Sequence, residues 1–216
     1  MADSELRIRS ADPSDVRFVA WVIQEAARSH LEAGVFDFSI PEAGRRIDFL
    51  AALANSTARS FFHHSGFLIA EIDGRAAAAL SGYEPALALG QALVDANLEA
   101  LGSADWSDEQ RALYGQRMQL LSGPMPDTPE DRWVIEWVAT APEFRGRGLV
   151  RRLLQVILER GRARGYGGAQ ISYLIGNTPA QRAYEQAGFK QVDEKRDPDF
   201  ELALGCPGIA RMHAGL

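Results

Sequence analysis

Two runs of the sequence carry residue types that bind anions and move protons. In the first, an apolar run Trp133 to Thr140 leads through Ala141-Pro-Glu-Phe-Arg145-Gly146-Arg147-Gly148 into a helix-like stretch that begins at Leu149. A helix start exposes N–H groups that lack intrahelical partners and carries a partial positive charge, and two glycines let an anion approach the main chain closely. With Arg145, Arg147, Arg151 and Arg152 at hand, such a turn can hold phosphate, and more than one. The same four-residue turn also suits a tight, solvated connection. There is no Gly-x-x-x-x-Gly-Lys-Ser/Thr run, and the turn lacks the third glycine and the alternating βαβ context of a dinucleotide site. What remains is a pyrophosphate-bearing ligand of another kind.

The second run is Ile175-Gly-Asn-Thr-Pro-Ala-Gln-Arg-Ala-Tyr-Glu-Gln-Ala-Gly-Phe189. Thr178 with Gln181 fits a capping box, Pro179 the first helical position, and Gly188 before Phe189 a left-handed stop with a hydrophobic contact. The helix is therefore short and sharply bounded. Asn177 sits at its entrance and Tyr184 two turns along. Taken alone, Asn177 could simply shape the turn, and Tyr184 could simply pack its ring.

These runs need a scaffold. Leu6 to Arg9 reads as a strand, Asp12-Pro13 as a helix start, and Val16, Val19, Ile23, Ala26 and Ala27 as the buried face of a helix that reaches about His30. A second helix is expected from about Pro41 to Asn55. Gly66 to Ile72 and Arg75 to Tyr83 form a hairpin about Asp73-Gly74. Residues 84–132 hold two helical patterns, about Ala86 to Leu101 and Ser107 to Leu121, and read as an inserted helical pair, a lid or a homodimer surface. After the helix Leu149 to Arg164 come a strand from Ala169 to Ile175 and a last β region from Phe189 to Leu204. The order is mixed α and β without repeats.

Composition sets the outer limits. The 216 residues, 46% hydrophobic and 24% charged, fit one soluble domain spanning 1–216 with room for an insertion. A net charge of −6 argues against a nucleic-acid partner. One cysteine, Cys206, excludes an intrachain disulfide and suits a reducing cytoplasm. No Cys/His spacing suggests a metal site. The N-terminal run MADSELRIRSADPSD is polar where a signal peptide needs an apolar stretch, and nothing approaches the ~20 apolar residues that cross a bilayer. Neither export nor a membrane partner is expected.

Together the two runs resemble the GNAT superfamily, the acetyl-coenzyme A dependent N-acetyltransferases. Arg145-Gly146-Arg147-Gly148-Leu149-Val150 is similar to its Gln/Arg-x-x-Gly-x-Gly/Ala pyrophosphate turn, with Val150 where glycine or alanine is usual. Asn177, Ala180, Tyr184, Gly188 and Phe189 resemble its downstream Asn-x-x-Ala…Tyr…Gly-Phe element. The close match covers about residues 133–189; residues 84–132 lie outside the usual core.

The resemblance implies a central mixed, mostly antiparallel twisted sheet of about six or seven strands, with helices on both faces and the helical insertion before the central strand. It implies acetyl-CoA as donor, coenzyme A as product, and direct transfer to a primary amine of a small molecule or a peptide. Arg145 to Arg151, with Asn177, Ala180 and Tyr184, would line the cofactor. Main-chain groups of Val138, Ala139 and Thr140 would hold the pantetheine arm where two central strands part, and a backbone N–H there would face the thioester carbonyl. Tyr184 is the implied proton donor to the leaving thiolate.

An alkyl ammonium must first lose a proton, and Glu136, alone in an apolar strand, is the leading base, since burial raises a carboxyl pKa. Alternation puts it on one face with Val134, Val138 and Thr140. It could instead pair with an arginine or point to solvent. In some family members the glutamate lies two residues earlier, where this chain has Val134. Glu71, Glu84 and Tyr173 are the reserves.

His63-His64 read as surface or loop residues, His30 as a helix-terminal imidazole and Cys206 as unactivated. The acidic balance favours a cationic acceptor such as a polyamine, aminoglycoside or lysine side chain. The alternative from another class is an acyl-CoA-binding sensor that keeps the fold without the chemistry.

Overall fold

The structure is a computed structural model and describes residues 5–103 and 105–216. Seven strands form one sheet: β1 (Leu6–Ser10), β2 (Phe67–Ile72), β3 (Arg75–Tyr83), β4 (Trp133–Thr140), β5 (Gly168–Leu174), β6 (Lys190–Arg196) and β7 (Gly208–Gly215). Their order is β1-β2-β3-β4-β5-β7-β6. Every neighbouring pair is antiparallel except β4 with β5. This is the mixed, mostly antiparallel sheet that the family resemblance implies.

Period-two alternation divides the apolar residues between two layers. Phe67, Ile69 and Ala79 face α1 (Val16–Arg28) and α3 (Ala43–Ala54), whereas Leu68, Ala70, Ala78 and Leu80 face α7 (Leu149–Ala163). Leu153, Leu154 and Ile157 of α7 are fully buried in that second layer. Glycine is required where α7 lies closest. A Cβ on Gly82 would stand 2.7 Å from both Ile157 and the Trp133 indole nitrogen. This close approach holds the middle of α7 against β3.

Between α1 and α3 the chain forms a short helix, α2 (Val35–Ser39), that the sequence reading left unassigned. Its N-terminus is closed by Asp37, whose carboxylate accepts from Gly34 N–H at 3.0 Å and also pairs with Arg28 and Arg46. The first helical pattern of residues 84–132 is broken into α4 (Pro85–Ala88) and α5 (Gln91–Gly102), because Gly90 turns left-handed at φ 59°. The second is α6 (Asp108–Leu120), capped by a Ser107–Gln110 box. Trp106 and Tyr114 pack edge-on against Phe49 of α3, which docks this segment on the α1–α3 layer.

The expected β region from Phe189 to Leu204 is corrected more substantially. It contains β6 and then α9 (Pro198–Leu204), and the strand that completes the sheet, β7, comes after it. Asp12 does cap as expected, but it caps a 3₁₀ turn, Pro13–Asp15, ahead of α1. The first four residues of the polar N-terminal run lie outside the described residues. Among the described residues, no helix is long and apolar enough to cross a membrane.

Candidate active site

The parallel pair β4/β5 stays in register only through Trp133–Ala169, Val134–Gln170 and Ile135–Ile171. Beyond Ile135 the strands part. β4 still pairs with β3 out to Thr140, so the edge of residues 136–140 turned toward β5 has no ladder partner. A bulge accompanies the parting. Trp137 has φ 55°, rare for a bulky side chain, and Trp137 and Val138 together oppose Leu80 alone. The bulge overturns the expected alternation. Val134 packs with Tyr83, while Val138 joins the α7 layer, so Glu136, Val134, Val138 and Thr140 do not share a face.

At the end of β4 the chain makes a 3₁₀ turn, Pro142–Phe144, and enters the glycine turn. Gly146 and Gly148 have φ 77° and 70°, so each occupies a conformation that only glycine adopts without strain. Gly148 is the left-handed N-cap of α7 and supplies no side-chain cap. Among the described residues, the N–H groups of Gly146, Arg147 and Gly148 donate to no protein acceptor. Nor do Arg145, Arg147, Arg151 and Arg152 form ion pairs there, although Arg147 lies 5.4 Å over the Phe144 ring. Unpaired amides at a helix start beside four arginines without a carboxylate partner, of which Arg145 donates through Nε to the Thr140 carbonyl at 3.4 Å, fit a ligand with several phosphate charges.

α8 (Thr178–Gln186) forms the other lip. Its cap is Asn177, not Thr178: the Asn177 side-chain oxygen accepts from Ala180 N–H at 3.1 Å, and its amide donates to Ser29 Oγ at 2.6 Å. The same residue therefore begins α8 and ties it to the end of α1. Gly188 closes the helix as expected at φ 94°. Phe189 N–H returns to the Tyr184 carbonyl at 3.0 Å, and the two rings meet edge-on.

Between the lips lies a cavity of about 600 Å³. Its lining includes Val138, Ala139, Thr140, Arg145 and Val150 from the cofactor candidates, together with Asn177, Ala180 and Tyr184. Gly146, Arg147, Gly148, Leu149 and Arg151 lie outside that lining, and Leu149 is buried in the α7 layer. Glu136 lines the cavity as well. Withdrawal from water pushes its carboxyl up to about 7, and it has no ion-pair partner among the described residues. Its charge acts on two phenols, Tyr83 and Tyr184, whose own ionisation is driven well above the ordinary range by burial and then by Glu136. At neutral pH both keep their protons. The Tyr184 hydroxyl donates to no protein acceptor among the described residues.

The reserve residues are otherwise engaged. Glu71 pairs with Arg9 at 2.7 Å and Glu84 pairs with Arg164; neither lines the cavity. Tyr173 lines it but donates to Gln191 at 2.9 Å. His63 is buried rather than at the surface: it caps a 3₁₀ turn through Ser65, and desolvation pushes its imidazole down to about 4. α1 ends at Arg28, two residues before His30. The Cys206 thiol is buried and pushed up, as expected of an unactivated group. No group of three or more potential ligands that could hold a metal occurs among the described residues.

Sequence reasoning missed Tyr83, Ser172, Trp137 and the Phe61–Phe62 pair, all of which line the cavity. The Ser172 hydroxyl and the Trp137 indole nitrogen are buried without partners. The aromatic pair was readable as an apolar island in a polar loop; the others depend on the bulge and on the parted strands.

The fold is a known one. The chain matches a solved N-acetyltransferase from Staphylococcus aureus at 20% identity and TM-score 0.68, over 97% of this chain and 100% of that one. It matches a GCN5-related N-acetyltransferase from Kribbella flavida at 16% identity and TM-score 0.58, over 98% of each chain. A third match is N-acetylglutamate synthase from Neisseria gonorrhoeae, solved with coenzyme A and N-acetyl-glutamate, at 14% identity and TM-score 0.52, covering 99% of this chain and 36% of that one. No curated protein matches significantly by sequence. The model of the acetyltransferase (GNAT) family matches residues 37–189, well over half of the sequence, and the chain belongs to that family.

Proposed function

We propose that the protein transfers an acetyl group from acetyl-CoA directly to a primary amine, with Glu136 as base and Tyr184 as acid. The observation that carries this reading is the presence together of a parted β4/β5 edge and unpaired helix-start amides, because the first suits an extended amide-bearing arm and the second a diphosphate. The coenzyme A in the Neisseria structure supports the choice of ligand. N–H groups of Gly146, Arg147 and Gly148, with those of Leu149, Val150 and Arg151 opening α7, would hold the diphosphate, aided by the Arg145, Arg147 and Arg151 side chains. Val138, Ala139 and Thr140 offer main-chain groups to the pantetheine amides, and Asn177 and Ala180 close the opposite lip. Val150, in place of a smaller residue, is half-buried against the α7 layer and lines the cavity.

Acetyl-CoA supplies an acyl group already activated as a thioester. The protein's part is to position and to move protons. Glu136, with a pKa of about 7, takes a proton from the incoming ammonium, which is otherwise mostly charged near its usual ~10.4. A donor on the β4 edge stabilises developing oxyanion charge, an effect commonly worth ~3 kcal/mol. Tyr184, held protonated by burial, donates from Oη to the departing sulfur. A low-pKa base and a high-pKa acid side by side are what the two proton transfers require. The single buried cysteine suits a cytoplasmic setting, where acetyl-CoA is made and used.

The deciding experiment is thiol release from acetyl-CoA across a panel of primary amines, with product mass confirmed. Amine-dependent release with matching acetylated product is expected. Binding of coenzyme A with release no faster than background hydrolysis would show a sensor instead.

A further inference from the structure

The acceptor end of the cavity has a chemistry of its own. Within its lining, the Trp137 ring stacks on Phe61 at 5.6 Å and on Phe62 at 5.2 Å. The same apolar lining includes Leu89, Leu93 and Met118, contributed by residues 84–132, and Leu93 and Met118 belong to the cluster that holds Phe61 and Trp137. The Phe61 loop is bound to that segment, since Phe61 N–H donates to the Ala88 carbonyl at 3.1 Å. Among the described residues, two carboxylates line the cavity, Glu25 and Glu136. Glu25 is already paired with Arg28 at 2.8 Å, a guanidinium that it shares with Asp37. One unpaired carboxylate therefore faces a large apolar surface.

A pocket of this composition can compensate one ammonium and no more. A second ammonium, as in a polyamine, or the several of an aminoglycoside, would lose hydration against Leu, Met and aromatic rings with no partner. An aromatic or similarly bulky hydrocarbon body gains by burial there. The acidic net charge of the whole chain does not reverse this, because the overall field acts on encounter rate while the pocket decides what stays.

Accordingly, and resting on the acetyl-transfer reading above, we infer that the acceptor is a monoamine with an aromatic or comparably bulky apolar body, seated between the Phe61–Phe62–Trp137 wall and Leu89, Leu93 and Met118. Leu93 and Trp137 are then specificity-determining residues.

The test compares 2-phenylethylamine, spermidine and kanamycin as acceptors for the full-length protein at saturating acetyl-CoA. kcat/KM for 2-phenylethylamine is expected to exceed the other two by about 30-fold or more, the scale set by one uncompensated buried polar group. Leu93→Glu, which supplies a second carboxylate, is expected to move the phenylethylamine-to-spermidine ratio about tenfold toward spermidine. Equal or better use of spermidine or kanamycin by the unaltered protein overturns the inference and leaves the transferase reading standing. If no amine releases thiol, the transferase reading fails. Calorimetric titration of the coenzyme A-loaded protein then decides the pocket's chemistry: tighter 2-phenylethylamine than spermidine supports it, and the reverse or no difference overturns it.

Discussion

Glu136 is useful because its surroundings are not those of a surface carboxylate. Its pKa of about 7, against an ordinary 4.5, comes from burial beside two phenols, Tyr83 on β3 and Tyr184 on α8, with no cation paired to it. In the base role proposed for it, Glu136 acts only when ionised, so kcat/KM should rise with pH through about 7 and then level. Glu136→Gln should lose that inflection and at least ~10² in rate at pH 7.5; an unchanged profile would assign the proton to a water chain. The same shift has a stability consequence of opposite sense. A carboxyl whose native pKa exceeds its unfolded one binds its proton more tightly when folded, so the contribution of Glu136 to stability falls as pH rises from 4.5 to about 7, while the depressed His63 imidazole acts in the opposite sense. Glu136→Gln should therefore be more stable than wild type at pH 8 by about 1 to 3 kcal/mol, discounted for the open cavity, with no difference at pH 4. For Tyr184→Phe the expected result is at least a ~10-fold loss of turnover with coenzyme A affinity kept within about threefold, since the ring packing with Tyr173 and Phe189 survives. Wild-type turnover in that variant would remove Tyr184 from the acid role.

At the level of elements, the strand–turn–helix from Trp133 to Ala163 was legible because each local signal agreed with its neighbours: an apolar strand, two glycines, then pairs of apolar residues at helical spacing. Its function is equally local. Gly148→Glu adds bulk and negative charge at a left-handed N-cap whose N–H is unpaired, and should abolish measurable coenzyme A binding by calorimetry. Retained wild-type affinity would place the diphosphate elsewhere. What escaped the sequence depended on distant partners. β7 enters the sheet between β5 and β6, so its short run Ile209-Ala-Arg-Met212 gains meaning only once both neighbours exist. The bulge at Trp137 has no local marker either, since no glycine stands there. Yet it is the bulge that sends Trp137 to the α1–α3 layer and Val138 to the other. Asn177, read as a turn residue ahead of Thr178, proved to be the cap and to bridge α1 and α8, a role that needs Ser29 beside it.

For the whole molecule, the cavity is a seam. One side is built on α1, α2 and the 84–132 segment, the other on α7 and α8, and along the opening the two halves of the sheet share no β4/β5 pairing beyond Ile135. A ligand that pairs with the β4 edge and the α7 amides spans this seam and binds only the folded chain, so it stabilises by mass action. At a coenzyme A concentration of ~100 times Kd the gain is ~2.7 kcal/mol. For a chain of this size each kcal/mol is worth ~2–4 °C, so Tm should rise by roughly 5–10 °C. The shift should vanish in Gly148→Glu, while persisting in Tyr184→Phe and Leu93→Glu, whose changes lie at the reacting and acceptor ends. A thermal shift that survives Gly148→Glu would mean that coenzyme A is held without the helix-start amides, and the parted strands would then have to account for binding alone.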